Sequence, residues 1–136
     1  MATEVKSERL SVRSRKHADV VDITERVQEV VRDSRVSTGL CQVFVQHTTA
    51  GVFINENADP DVIDDFLSTL DRLVPWENNY AHAEGNAAAH IKASLIGTSQ
   101  AIPVREGKLA LGTWQGIYFA EFDGPRERHV LVTVLT

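Results

Sequence analysis

Three of the five histidines stand at positions where side chains from different elements can meet. His47 closes a run of β-forming residues, His82 lies in a stretch without periodicity, and His90 falls in the first turns of a helical pattern. Residues at such boundaries can converge on one cleft while the framework holds them rigid. Three neutral imidazoles would give a transition metal a three-ligand shell with a position open for water or substrate. Glu84 and Asn86 flank this region, as a carboxylate ligand or as partners that orient a ring. The plainer alternative makes His47 and His90 ordinary hydrogen-bonded histidines and His82 a surface one. No compact signature such as His-Glu-x-x-His decides between the two. His17 and His129, among charged neighbours, read as solvated.

Other residue types could complete a site. Gly85-Asn86 followed by Ala87-Ala88-Ala89-His90 opens a helix with small side chains, so its free N–H groups can approach a phosphate. The same pattern also suits an alanine-rich helix packed tightly on a sheet. Glu56, between two asparagines after a strand, lines either a pocket or a simple turn. Trp114, flanked by glycines in Gly112-Thr113-Trp114-Gln115-Gly116, is either a core plug or a platform for a flat ring, with Gln115 offering a donor and an acceptor. Glu121 and Asp123 could supply a base, and Arg126 a phosphate-pairing guanidinium. Asp59, Asp61, Asp64 and Asp65 open one helix, where negative charge complements the dipole. Cys41 lies mid-strand and reads as inert packing.

The elements that must position these residues follow from periodicity. Residues 9–14 alternate as a half-buried strand does. Ile23, Val27, Val30 and Val31 share one face of a helix beginning near Asp22 or Thr24. Residues 40–46 read as a buried strand, and residues 51–54 as a second, short one. Asp59-Pro60 starts a helix in which Val62, Phe66, Leu70 and Leu73 recur until Pro75. Residues 76–84 read as a loop, and residues 86–96 as a helix closed by Gly97. Strands are expected at 101–104, 108–111, 115–122 and 129–135, with turns between them. This order predicts an α+β fold, mostly antiparallel sheet with two or three helices against it, in a single domain spanning 1–136.

Composition narrows the partners. The chain has 136 residues, 43% hydrophobic and 24% charged, the balance of a globular protein. Its formal charge of −5, with 14 Lys and Arg against 19 Asp and Glu, argues against nucleic-acid binding. No apolar run approaches the ~18 residues of a membrane span, and the charged beginning does not read as a signal peptide. One cysteine excludes an internal disulfide and fits a cytoplasmic location.

Taken together, several segments resemble the YjbQ family of secondary thiamine-phosphate synthases. They are His47-Thr48-Thr49-Ala50-Gly51, Asn55-Glu56-Asn57-Ala58-Asp59-Pro60, His82, Glu84-Gly85-Asn86 with Ala89-His90, Leu111-Gly112-Thr113-Trp114-Gln115, and Glu121-Phe122-Asp123-Gly124-Pro125-Arg126. The resemblance spans essentially the whole chain. It implies a homotrimer with pockets near subunit boundaries and a metal-associated cluster of His47, His82 and His90. It also implies an activity joining hydroxymethylpyrimidine diphosphate to thiazole phosphate with loss of pyrophosphate. Under that reading Glu56, Glu121 and Arg126 serve catalysis, while Asn86, Trp114 and Gln115 bind a phosphorylated or heterocyclic substrate. The imidazoles favour Zn²⁺ or another transition metal, whereas pyrophosphate departure is usually assisted by Mg²⁺. Two alternatives remain: a metal-dependent phosphoester hydrolase, or a non-catalytic trimer that binds a small ligand.

Overall fold

The computed structural model describes residues 2–136. Eight strands and three helices follow one another as β1 (Glu4–Arg13), β2 (Asp19–Asp22), α1 (Thr24–Ser34), β3 (Gly39–Val45), β4 (Ala50–Glu56), α2 (Pro60–Leu73), α3 (Ala87–Ile96), β5 (Ser99–Arg105), β6 (Lys108–Leu109), β7 (Gln115–Glu121) and β8 (Glu127–Leu135). They form a five-stranded sheet in the order β1-β8-β3-β5-β6 and a three-stranded sheet in the order β2-β7-β4. Every pairing is antiparallel. The expected α+β class holds. Strand β2 goes beyond the sequence reading: four residues are too short to show a period, and pairing with β7 makes the strand.

Alternation along the strands builds the core. Leu10 and Val12 of β1, Cys41, Val43 and Val45 of β3, and Val130, Val132 and Val134 of β8 point inward from the large sheet. Val52 of β4 with Ile117 and Phe119 of β7 face them from the small sheet, and Val27, Val30 and Val31 of α1 close the same cluster. Burial pushes the Cys41 thiol up to about 12, as expected of packing rather than reactivity.

The small sheet is covered on its other face by α2 and α3. Leu70, Ala89 and Ala93 pack there with Ala120 and Phe122. Asp59 caps α2 by accepting the Asp61 N–H at 2.9 Å, with Pro60 at the first helical position. The alanines of α3 allow close approach to β4, where a Cβ on Gly51 would lie 2.6 Å from the Gly97 carbonyl oxygen. Buried Lys92 of α3 pairs with Asp71 of α2 at 3.1 Å. By contrast, the outer face of the large sheet carries no helix, and there Leu40 and Phe44 of β3 are 38% and 42% exposed.

Candidate functional site

The inward rows of four strands turn polar at the same end of the core. On β3, Cys41, Val43 and Val45 lead to His47, and on β1, Leu10 and Val12 lead to Ser14. On β8 the row Val134, Val132, Val130 runs back to Arg128 and Arg126, and on β7 Ile117 and Phe119 lead to Glu121 and then Asp123. A period of two carries each row past the core: Ser14, Glu121 and Arg128 are buried at its end, His47 and Asp123 half-buried, and Arg126 exposed. There His47, Asp123, Arg126 and Arg128 bound a cavity of about 480 Å³, whose walls also include His82, Asn86 and His90. Helix α3 supplies Asn86 and His90 from its first turn, and the loop before it supplies His82 and Glu84.

Beneath the cavity floor lies a buried ion pair. The Glu121 carboxylate is fully enclosed and accepts hydrogen bonds from Arg128 Nε at 2.8 Å, from Arg128 Nη2, from Ser14 Oγ at 2.7 Å and from the Asp123 N–H at 3.0 Å. Burial pushes this carboxyl upward, but the bonds from Arg128, Ser14 and Asp123 outweigh it and hold the group below its usual range. Arg128 Nη2 also donates to Thr49 Oγ1 at 2.8 Å. Glu121 does not reach the cavity, so its part is to hold Arg128.

Four of the five histidines fall into two pairs, His47 with His129 and His82 with His90. His47 Nε2 accepts the His129 backbone N–H at 2.8 Å, which fixes a neutral ring with its proton on Nδ1. Burial lowers the His47 pKa, and positive charge on Arg128, His129 and Arg9 lowers it further, against an opposing pull from Glu121. His82 and His90 meet edge to face with ring centroids 5.1 Å apart, and Glu84 lies 4.0 Å from His82 Nε2. His17, expected in solvent, is about half exposed but stacks edge-on to Trp76 and lies 3.6 Å from Asp123.

Around Asn86, Nδ2 donates to Asp123 Oδ2 at 3.1 Å, while the buried Oδ1 has no partner among the described residues. Arg126 donates through Nε and Nη2 to Asp123, to its backbone carbonyl at 2.8 Å and its carboxylate at 3.0 Å. This turn fits closely under the loop after β1: a Cβ on Gly124 would sit 2.4 Å from the Lys16 carbonyl oxygen. Beside the cavity, a hollow of about 230 Å³ shares His82 and adds Trp76 and Tyr80.

The three histidines, Asn86 and Arg126 named from the sequence thus meet at one cavity. Glu56, Trp114 and Gln115 do not. Glu56 pairs with Gln115 at the far end of β4 and β7, about 20 Å along the strands at ~3.3 Å per residue. Trp114 is 63% exposed, which rules out the core plug. Arg128 was missed, although its place two residues before the alternating Val130, Val132 and Val134 signals an inward side chain. Trp76 and Tyr80 were missed because their loop has no period.

Residues 8–136 match the family described as UPF0047 protein YjbQ-like. The chain belongs to the YjbQ family. It is 48% identical to UPF0047 protein MJ1081 of Methanocaldococcus jannaschii, over 91% of this chain and 90% of that one. To YugU of Bacillus subtilis, another UPF0047 protein, it is 46% identical over 93% and 96%. A crystal structure of a YjbQ/UPF0047 protein from Clostridium acetobutylicum superposes with a TM-score of 0.92 at 54% identity, covering 93% of this chain and 98% of that one. A YbjQ-like protein from Sulfolobus solfataricus does so at 0.94 with 35% identity and 99% coverage of both. These likenesses establish family and fold, not an activity.

The donor types at the cavity suit a divalent cation, but the arrangement does not close a three-histidine shell. Nε2 of His47 is committed to a backbone N–H, and among the described residues no group of three His, Cys, Asp or Glu is arranged to hold a metal.

Proposed function

We propose that the cavity processes a small phosphorylated substrate. The specific reaction would be thiamine-phosphate synthase-like transfer of the pyrimidine methylene from its diphosphate to the thiazole nitrogen. The observation that carries this reading is the convergence of three histidines, Asn86 and two arginines on one hollow that adjoins a second, aromatic one. Phosphate oxygens suit the polar cavity, and a flat heterocycle suits the wall of Trp76 and Tyr80. Within one protomer these residues replace the platform expected of Trp114 and Gln115.

Each group has a role the chemistry requires. In the transfer the bond between methylene carbon and diphosphate oxygen breaks, pyrophosphate leaves with the electron pair, and the thiazole nitrogen bonds to the carbon. Charge builds on the leaving oxygens, where preoriented donors help most. His47 offers Nδ1–H as a neutral donor, and the opening N–H groups of α3 meet phosphate oxygens. Held by His82 and His90, a divalent cation would supply further neutralisation of the leaving group.

The test incubates both half-molecules with Mg²⁺, Mn²⁺ or Zn²⁺ and measures pyrophosphate and thiamine phosphate. Product above a His47→Ala control supports the transfer. Turnover of a phosphoester without the thiazole selects the hydrolase, and inert binding selects the non-catalytic trimer. A homotrimer is part of the proposal, supported by the uncovered outer face of the large sheet with Leu40 and Phe44. Sedimentation at about three chain masses is the expected result.

A further inference from the structure

We infer that Arg128, rather than the more exposed Arg126, is the anion anchor of the cavity, and that it binds one phosphoryl group of a phosphate or diphosphate ligand. This rests on the phosphate reading above and deepens it by naming the group that would hold the anion.

Three observations lead there. Arg128 lines the cavity although its side chain is only 5% exposed, so its position is set by packing rather than by solvent. Its Nε and Nη2 are fixed by Glu121 and Thr49. Nη1 has no partner among the described residues, yet it is not sealed, because the only buried side-chain atom left unpaired among them is Asn86 Oδ1. One edge of the guanidinium is therefore clamped, and Nη1 is what it can offer the cavity. Arg126 differs in exposure and in what clamps it: its side chain is 54% exposed, and its Nε and Nη2 are tied to Asp123 on its own turn rather than to groups from other elements.

The chemistry of the ligand follows. Guanidinium N–H groups donate and never accept, so the occupant presents oxygens with lone pairs. Because Glu121 already neutralises Arg128, attraction from a distance is weak, and binding depends on fixed donor geometry. A tetrahedral phosphoryl oxygen meets that geometry, and lysine cannot reproduce it despite equal charge.

The test titrates inorganic pyrophosphate into the full-length protein by calorimetry, with and without Mg²⁺. It compares Arg128→Lys and Arg126→Gln with the natural chain. Arg128→Lys is expected to weaken binding by about tenfold or more, and Arg126→Gln by no more than ~3-fold. Circular dichroism checks that each variant folds. Should Arg128→Lys fail to fold, the guanidinium ¹⁵N resonances of the natural protein provide the readout, and those of Arg128 are expected to shift saturably with pyrophosphate. Unchanged affinity in Arg128→Lys overturns the inference and leaves the phosphate reading standing. So do Arg128 resonances that stay fixed while those of other cavity residues move. If pyrophosphate fails to bind the natural chain under either condition, both fall.

Discussion

The two ends of β4 and β7 present similar residue types in opposite physical states. At one end Glu121 lies sealed among four hydrogen bonds from Arg128, Ser14 and Asp123. At the other, Glu56 pairs with Gln115 beside an exposed Trp114. Polar groups at the first end are fixed by groups from other strands. At the second, the Gln115 side chain is held by a near neighbour, its Oε1 accepting the Gly112 N–H at 2.8 Å. Fixing across strands is what lets a site hold its donors in place before a ligand arrives.

The sharpest way to break this contrast is to truncate both glutamates. Glu121→Ala leaves a buried guanidinium unpaired and is expected to cost about 3–5 kcal/mol of stability. Glu56→Ala is expected to stay within about 0.5 kcal/mol. Denaturant unfolding of the two variants decides it, and equal losses would erase the distinction. The Glu121 contribution also has a pH signature. Its folded pKa lies below the ordinary 4.5, so its stabilisation is present above that pH and is lost as pH falls through the folded value.

His47 gives the next effect. His47→Ala strands the His129 N–H and is expected to destabilise by about 1–3 kcal/mol. The folded pKa is lowered from 6.5, so as pH drops below 6.5 the unfolded chain takes up a proton that the folded one resists. Stability therefore falls on that side. His47→Gln, which can keep the acceptor but not the titration, is expected to flatten this part of the pH–stability curve, as thermal melts across pH 5–8 would reveal.

Smaller effects sharpen the picture. Asp59→Ala removes the α2 cap and is expected to cost about 1 kcal/mol, with no change in pyrophosphate affinity. Trp114→Ala is expected to leave stability within about 0.5 kcal/mol and pyrophosphate binding unaltered. A large loss of binding in that variant, with subunit mass unchanged, would bring the far end into a neighbouring protomer's cavity.

Much of this was legible in the sequence because local pattern and final structure agree. Helical spacing located α2 from Asp59-Pro60 to Leu73, and Gly97 marked the end of α3. His47, His82, His90, Asn86 and Arg126 stood out at element boundaries, where side chains from different elements can meet. Their types and spacing alone left a plain hydrogen-bonded reading of the histidines open, and it was the family resemblance that joined them. Other parts depended on contacts far apart in the chain. Strand β2 exists through β7, and the first half of β1 is held by β8 despite its exposed, polar residues. Glu121 reads from sequence as a base, and only the inward row of β8 discloses that Arg128 occupies it. Gly112 and Gly116 around Trp114 suggested room for a core ring, whereas the ring projects from a loop end.

The lone thiol has a use of its own. Cys41 sits mid-strand with no exposed surface and a pKa of about 12, so alkylating reagents cannot attack it while the large sheet is intact. Its labelling rate is thus a native clock for opening of the sheet, and slower labelling in the presence of a ligand would register binding without any added probe.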